Sequence, residues 1–522
     1  MKHKILVLCL SILFPLCGIV AQRENHNWLF GYNAGLTWNT TQNFNATGMF
    51  GTANANLSGI PTTIPSNIST NEGCFSISDA DGQLLFYSDG ITIWDRRGFP
   101  MPHANGDLTG HSSSAQSGIV VPYPGQPTKY IIFTLGERAA DNLSYSVVNM
   151  DLNGGFGDVI EGEKNILLTG QSGILGESLT AVRHNNKKDI WVIAGGRGTS
   201  TYLNVWKIDE DGVQIVRHSV TSINIDTSTS ISLPNGYITF SENGEYFTFN
   251  IYSNQFFIFG KFDNTIGQIA TINARSRQAN SIYGNGYGTA FSKSGKFLYL
   301  TNVPGNINNN IGSSLHVYDF LELLAAANPE TVNPVKTINV PQSSSNGAND
   351  HFGAIVMGPD ERLYASYFYS NSLYVITNPE SPASMNIYKL SGLLGSGSLR
   401  WGLPTFMAPW FRVEIIPPVG GIACEKIAND YTLKIYGGEG FSDVKSIVID
   451  WGDGSFSSRM VPPTTGSFVY SHAYDKVGSY TITVTPYLDI EETLADHAQI
   501  KTSVVKISRC IIPVNPNIHI FH

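Results

Sequence analysis

The sequence predicts an all-β protein built from more than one domain, and three observations carry that expectation. Charged residues make up only 14% of the 522, against about 25% in ordinary soluble domains. The chain holds 52 Gly, 24 Tyr and 27 Phe; aromatic side chains favour strands, and glycines favour the tight turns that join them. An apolar strand, a polar turn and an aromatic strand also recur along most of its length. At about 150 residues per domain the chain has room for two to four domains. The same composition excludes a coiled coil or an acidic disordered tail. With 32 basic and 41 acidic residues the formal charge is −9, which leaves no cationic face for a phosphate backbone, so nucleic acid is not an expected partner.

Residues 1–22 read as an export signal. Lys2 and Lys4 precede an apolar run over 5–14, and a short region that can be cleaved after Ala21 follows. That run is too short to span a bilayer comfortably. Pro15 and Leu16 stand ahead of Cys17, where a lipoprotein needs a small residue. No later run approaches the length of a membrane helix, so no membrane span is expected.

The strand–turn–strand unit occurs six times: CFSISDADGQLLFY (74–87), GIVVPYPGQPTKYIIFT (118–134), LTAVRHNNKKDIWVIA (179–194), YITFSENGEYFTFN (237–250), GTAFSKSGKFLYLTN (288–302) and FGAIVMGPDERLYASY (352–367). A seventh first strand, GLPTFMAPWF (402–411), has no second strand after it. The spacing is that of a four-stranded blade with variable loops, which predicts a β-propeller. Two aromatic runs in NWLFGYNAGLTWN (27–39) lack a blade of their own. Pairing them with 402–411 closes a ring of seven and leaves no long exposed edge. Six or eight blades fit divergent repeats as well. Residues 40–71, rich in Asn, Thr, Gly and Ser, read as a loop on one face. DFLELLAAANPE predicts a helix with Asp319 as N-cap and Pro329 as its stop.

Beyond Pro417 and Pro418 the pattern changes to short alternating strands, as in an antiparallel immunoglobulin-like β-sandwich. Trp451-Gly452-Asp453-Gly454-Ser455, then His472-Ala473-Tyr474, then Gly478-Ser479-Tyr480 with the alternating run after it, resemble the signature of PKD domains. The resemblance implies structural roles for Trp451, Gly452, Asp453, Gly454, His472, Tyr474, Gly478 and Tyr480. A tight turn forms at Gly-Asp-Gly, aromatic residues fill the core, and His472 hydrogen-bonds near the turn. With that module placed, STNEGCFSISDADGQLLFYSDGITIWD, GHSSSAQSGIVVPYPG and LSYSVVNMDLNGGFGDV resemble exported YVTN-like propeller proteins of Bacteroidota that carry a PKD domain. The resemblance implies a surface or secreted protein without a defined reaction. Many members end in a sorting or gliding-motility-associated domain; here the chain departs from that pattern and ends in VNPNIHIFH. The expected organisation is therefore a signal (1–22), a seven-bladed propeller (23–416), a linker (417–423), a PKD sandwich (424–510) and a tail (511–522).

Removal of the signal leaves Cys74, Cys424 and Cys510, enough for one internal disulfide at most. Cys424 and Cys510 bracket the sandwich and form the obvious pair by position. A sandwich with its termini at opposite poles would hold them too far apart to bond, so both outcomes stay open. Cys74 lies in an apolar strand with no base near it in sequence, which suits a buried thiol rather than a nucleophile.

Motifs for chemistry are sparse. Ser78-Asp79-Ala80-Asp81-Gly82 has the wrong spacing for a sialidase Asp box. Gly110-His111-Ser112-Ser113-Ser114 lacks the second glycine of an esterase elbow. Asn149-x-Asp151-x-Asn153-Gly154 begins like a calcium loop but has Ile160 where Glu is needed, so it reads as a solvated hairpin. No cofactor and no metal are expected. The residues just before each innermost strand gather at the channel mouth of a propeller, and here they offer Glu72, Gln116, Glu177, Tyr287, His351 and Arg400. The function this supports is an exported, non-enzymatic binding or adhesion protein, at the periplasm, cell surface or outside the cell, that holds a glycan or an envelope protein. One alternative is a polysaccharide hydrolase or lyase with Glu72 and Glu177 as acid and base; another is a structural part of an envelope assembly.

Overall fold

The computed structural model describes residues 23–79, 82–137, 143–186, 189–224, 235–252, 256–276, 285–303, 313–340, 351–408, 412–416, 423–436, 446–457, 466–487 and 501–508. The signal, most of the linker, Cys510 and the tail lie outside the described residues. Among those described, the chain is all-β: eight hydrogen-bonded sheets, of which the largest, seven-stranded, contains both the strands numbered below as the first sheet and those numbered as the seventh, with one short α-helix and two 3-10 turns. No helix among them is long and apolar enough to cross a membrane.

All six sequence repeats form the first two strands of antiparallel sheets. The second sheet begins with Phe75–Ser78 and Leu84–Ser88, the third with Gly118–Pro122 and Lys129–Thr134, and the fourth with Ile174–Arg183 and Ile190–Arg197. The fifth begins with Gly236–Phe240 and Tyr246–Ile251, the sixth with Asn285–Phe291 and Phe297–Val303, and the seventh with Phe352–Met357 and Leu363–Tyr367. The first strands lie in chain order, each against the next, from Asn27–Phe30 of the first sheet to Phe352–Met357. Position in the sheet dictates composition. Phe75–Ser78, Ile190–Arg197 and Leu363–Tyr367 are buried at every residue, whereas the outer strand Lys336–Val340 alternates between partly and fully exposed residues until the buried Val340. Between sheets, Ile119, Val121 and Phe133 pack with Leu179, Ala181 and Trp206. Each such side chain contributes about 1.5–3 kcal/mol when fully buried.

Turns repeat as well as strands. The Ser241 and Ser292 hydroxyls accept from the amides of Tyr246 (3.0 Å) and Phe297 (3.2 Å), closing equivalent hairpins in the fifth and sixth sheets. Buried polar side chains also tie neighbouring sheets together. Ser76 Oγ donates to the Asn27 carbonyl (2.6 Å) and Ser178 Oγ to that of Gly236 (2.7 Å). Asn250 Nδ2 donates to the Gly288 carbonyl (2.8 Å), and Thr301 Oγ1 to that of Gly353 (2.6 Å).

Three expectations are corrected. Residues 40–71 are not simply a loop: the strand Ala34–Met49 runs through much of them, Ala55–Thr63 returns along it, and Asn56 donates to Asn45 across the pair (3.0 Å). A strand with one solvated face tolerates Asn and Thr, so composition alone misplaces it. The far end of Ala34–Met49 joins the seventh sheet through Asn386–Leu390. Nor do residues 402–408 pair with 27–39; Asn27–Phe30 pairs with Ala34–Met49. The 401–408 segment instead runs among the first strands. Ala354 N donates to Trp401 O (2.8 Å), Thr405 N to Cys74 O (2.8 Å) and Ala408 N to Ala181 O (3.2 Å). Tyr237 Oη meets both Leu403 O (3.2 Å) and Leu403 N (3.3 Å). Pro404 has no donor for a ladder, and a Cβ on Gly402 would stand 1.9 Å from the Glu72 carbonyl oxygen, so only glycine passes here. Third, Arg412–Ile416 pairs with Asn429–Tyr436 of the C-terminal domain, so the strands of that domain begin before the expected boundary at 416. The helix forms at Phe320–Ala325 with Asp319 capping the Glu322 amide (3.1 Å); it ends four residues before Pro329, which opens a 3-10 turn.

The C-terminal sheets are Arg412–Ile416, Asn429–Tyr436 and Gly466–His472, and Ala423–Cys424, Lys501–Ser508, Gly478–Tyr487 and Ser446–Asp450. Their core holds Tyr431, Leu433, Ile447, Ile449, Trp451, Tyr474, Ile482 and Val484. The Trp451 motif is a knot across this core. Gly452 and Gly454 take positive φ (77° and 91°), which only glycine adopts cheaply. His472 stacks on Trp451 at 4.5 Å and donates to Asp453 Oδ2 at 2.8 Å, while Tyr474 Oη donates to the Trp451 carbonyl at 2.9 Å. Burial pushes the Asp453 carboxyl up, but hydrogen bonds from Ser455 and His472 outweigh it and hold it below the ordinary value. Cys424 is disulfide-bonded. The objection from opposite poles does not hold, because Ala423–Cys424 lies parallel to the last strand with Cys424 opposite Ser508.

Two outcomes follow from this geometry. A carboxyl with a depressed folded pKa stabilises above the unfolded value, about 3.9, and loses that contribution as pH falls through the folded value. Asp453→Asn should therefore cost about 1–2 kcal/mol at neutral pH and flatten the acid side of the stability profile, read by hydrogen exchange of peptides over 446–457. Cys74 is free and buried, its thiol pushed well up by desolvation and by Asp89. It should resist a thiol reagent until the chain unfolds, whereas Cys424 should label only after reduction, as peptide mass spectrometry can read.

Candidate functional site

Glu72 and Gln116 stand two residues ahead of Cys74 and Gly118, at the entry to the first strands of the second and third sheets. His351 directly precedes Phe352–Met357. Glu177 and Tyr287 lie inside their strands, where the register shifts between Leu175 and Leu179 and between Gly286 and Thr289; a third shift falls between Phe352 and Ile355. Such irregularities release a stretch from the ladder and re-aim its side chains.

The structure joins some of the six residues and separates others by role. Tyr287 Oη donates to Glu72 Oε2 at 3.1 Å. Burial pushes the Tyr287 hydroxyl well up, with Glu72, Tyr237 and Glu177 adding to it, so it stays a proton donor. Glu177 is 3% exposed and its Oε2 accepts from Ala115 N at 3.2 Å. Gln116 is a clip rather than a ligand contact. Its Oε1 accepts from Leu179 N (3.1 Å) and Ile238 N (2.9 Å), and its Nε2 donates to Ile238 O (3.2 Å), so one amide serves strands of two further sheets. His351 is buried, with its carbonyl accepting from Phe368 N.

Arg400 does what the sequence does not foretell. Its guanidinium lies 3.7 Å from the centre of the Tyr369 ring and 4.7 Å from that of Tyr32, whose hydroxyl donates to Asn71 Oδ1 (2.8 Å). Tyr369 is 60% exposed at φ +52°. Phe368 packs against both Tyr369 (4.1 Å) and Trp401 (4.0 Å), and Trp401 reaches Tyr287 at 5.8 Å. The aromatic members were missed because they come from loops in unrelated parts of the chain. The one local signal was the Phe368-Tyr369 pair just past a buried strand.

A cavity of about 590 Å³ lies among the first strands, lined by Ser76–Asp79, Gln116, Tyr237, Ile355–Pro359, Glu361 and residues 404–408, and Tyr237 packs on Tyr287 at 5.4 Å. Among the described residues no group of three or more His, Cys, Asp or Glu side chains could hold a metal ion. The calcium-like run is a turn, with Asp151 N donating to Asn149 Oδ1.

No protein-family model matches the chain, and no curated protein does. Among solved structures the chain is similar to the PKD domain of an M14-like peptidase from a Thermoplasmatales archaeon, at 21% identity over 19% of this chain and 93% of that one, with a TM-score of 0.16. It is also similar to a putative 6-phosphogluconolactonase from Bacteroides uniformis (15% identity, 70% and 90% covered, TM-score 0.35). A functionally unknown protein from Desulfotomaculum acetoxidans matches at 11% identity, with 78% and 98% covered and a TM-score of 0.35.

Gln116→Ala should lower stability by about 2–4 kcal/mol, because it leaves the buried Leu179 and Ile238 amides unpaired. Scanning calorimetry of the intact chain would show the fall as a lower transition temperature, which Arg400→Ala should leave unchanged.

Proposed function

We propose that the seven N-terminal sheets are the blades of a β-propeller, that the C-terminal sandwich is a PKD-type spacer or contact module, and that the whole is an exported, non-enzymatic binding protein of the YVTN-like kind. Its ligand is a glycan of the envelope or of a surface, held over the entries of the first strands. The observation that carries this reading is the half-exposed platform of Tyr32, Arg400 and Tyr369 beside Trp401 and the Glu72–Tyr287 pair. A sugar presents an apolar face and a rim of hydroxyls. Rings and a fixed guanidinium suit the face, and the Glu72 carboxylate, held by the buried Tyr287 hydroxyl, suits the rim.

A hydrolase or lyase using Glu72 and Glu177 is the second reading, favoured by the Glu72–Tyr287 hydrogen bond and by the charge of Glu177 acting on the same hydroxyl. Against it, Glu177 is buried and committed to a backbone amide that orders the Ala115–Gln116 turn. A general acid or base needs access to its substrate.

A glycan array probed with the mature chain should give discrete hits. Arg400→Ala and Tyr369→Ala should each weaken binding about tenfold, roughly 1.4 kcal/mol, without moving the unfolding transition. Absence of any hit would point to a protein partner or an assembly role. Turnover of a hit that Glu72→Gln abolishes would sink the non-enzymatic reading.

A further inference from the structure

The guanidinium of Arg400 is held in place without being neutralised. Arg97 and Arg362 donate to the carboxylates of Asp95 and Asp360, and Arg275 donates to the carbonyls of Pro329 and Val332. Acidic partners are plentiful in a chain with 41 acidic residues and a formal charge of −9. Yet among the described residues no carboxylate, carbonyl or hydroxyl meets the Arg400 guanidinium, and its neighbours are the rings of Tyr369 and Tyr32. The residue is half-buried and its Nε is shut off from solvent, so the Nη pair is the edge left for a ligand.

Three segments far apart in the chain are tied together around this cation. Tyr32 and Ser398 exchange two backbone hydrogen bonds (2.8 and 2.9 Å), and a Cβ on Gly31 would stand 2.3 Å from the Ser398 carbonyl oxygen, which confines that approach to glycine. Leu399 N donates to the carbonyl of Ser370, the residue after Tyr369, at 2.7 Å, and Trp401 N donates to Asn71 O at 2.9 Å. Arg400 is therefore anchored at both chain neighbours. Tyr369 keeps its exposed ring on a left-handed backbone. That conformation is costly for a bulky residue, and such strain clusters at ligand sites. A fork fixed in advance has little ordering entropy left to lose on binding.

We infer that Arg400 is the carboxylate-binding residue of this platform and that the glycan it holds is acidic, carrying a uronic or other carboxylated sugar. The inference rests on the glycan reading above and adds the charge of the ligand. A guanidinium edge matches a planar carboxylate through two parallel hydrogen bonds, while the rings beside it cover the apolar face of the sugar. Glu72 and Glu177 act on Tyr287, which is joined to Arg400 through the rings of Trp401, Phe368 and Tyr369. Their charge leaves no surplus of positive potential, which suits a single carboxylate and disfavours a phosphate dianion or a densely sulfated chain.

The test uses oligomers of galacturonate, glucuronate and mannuronate, and sialyllactose, each against its own carboxyl methyl ester. Neutral oligomers of galactose, glucose and mannose and sulfated carrageenan oligomers run alongside. Calorimetric titration of the mature chain should show at least one carboxylated glycan bound at least tenfold tighter than its ester and than the sulfated oligomers. Arg400→Gln, which removes the charge and keeps a planar group, should bring acid and ester within twofold of each other. Arg400→Lys, which keeps the charge without the fork, should retain part of the preference. The ester comparison is read on the unaltered chain, so it stands even if a variant fails to fold. Neutral glycans or esters bound as tightly as the acids, or sulfated oligomers bound more tightly, would overturn the acidic-ligand inference and leave the glycan reading intact. A preference for the acid undiminished in a folded Arg400→Gln chain would assign the carboxylate to another residue and overturn it as well. No binding of any glycan would remove both.

Discussion

Strands buried on both faces have nowhere to place a charge and no water to satisfy their backbone, and the sheets between Asn27 and Leu390 are arranged around that constraint. Among the described residues each first strand pairs on one side only, so alternate carbonyls and amides along its other edge are left outside the ladder. Buried side chains take them up: Ser76 across the first and second sheets, Gln116 and Ser178 across the third to fifth, Asn250 and Thr301 across the fifth to seventh. Each bond is modest, about 1 kcal/mol net, but a missing one would strand a polar group where solvent cannot reach it. The low overall charge of the chain has the same origin, since the two inner strands of a sheet offer almost no solvated position.

Register irregularities create the candidate site. A register shift ahead of a buried strand frees a few residues to face the region where successive sheets meet, and Glu177 and Tyr287 stand at such shifts. The 401–408 segment then divides the interior. At one end its Trp401 joins the aromatic cluster, and at the other Thr405, Phe406 and Met407 wall the cavity. Structural and ligand-facing roles thus sit within a few residues of one another, as the contrast between Gln116 and Glu72 shows.

Much of this was legible from sequence because it is local. The six strand–turn–strand units, the Asp319-capped helix and the Trp451–Tyr474 knot each depend on residues close in the chain, on period-two burial and on turn chemistry. The candidate residues were also found by position, just ahead of first strands. Their roles were not. Whether an amide such as Gln116 faces a ligand or a neighbouring backbone depends on where a strand sixty or a hundred residues away comes to lie. Residues 40–71 were misjudged because Asn and Thr serve a half-solvated strand as well as a loop.

By itself, then, the sequence determined that the chain is β throughout, where most hairpins turn, and that a knot of Trp, Asp, His and Tyr closes the last module. These follow from backbone preference and from which face of a strand must avoid water. The tertiary structure alone decided what those faces pack against. It joined 27–63 to the strands of 352–390 in one sheet, ran 401–408 among the first strands, and set Arg400 between two tyrosines far apart in the chain, Tyr32 and Tyr369. Alternation specifies that a side chain is buried but carries no information about its partner, and partners are chosen only when distant strands compete for the same interior.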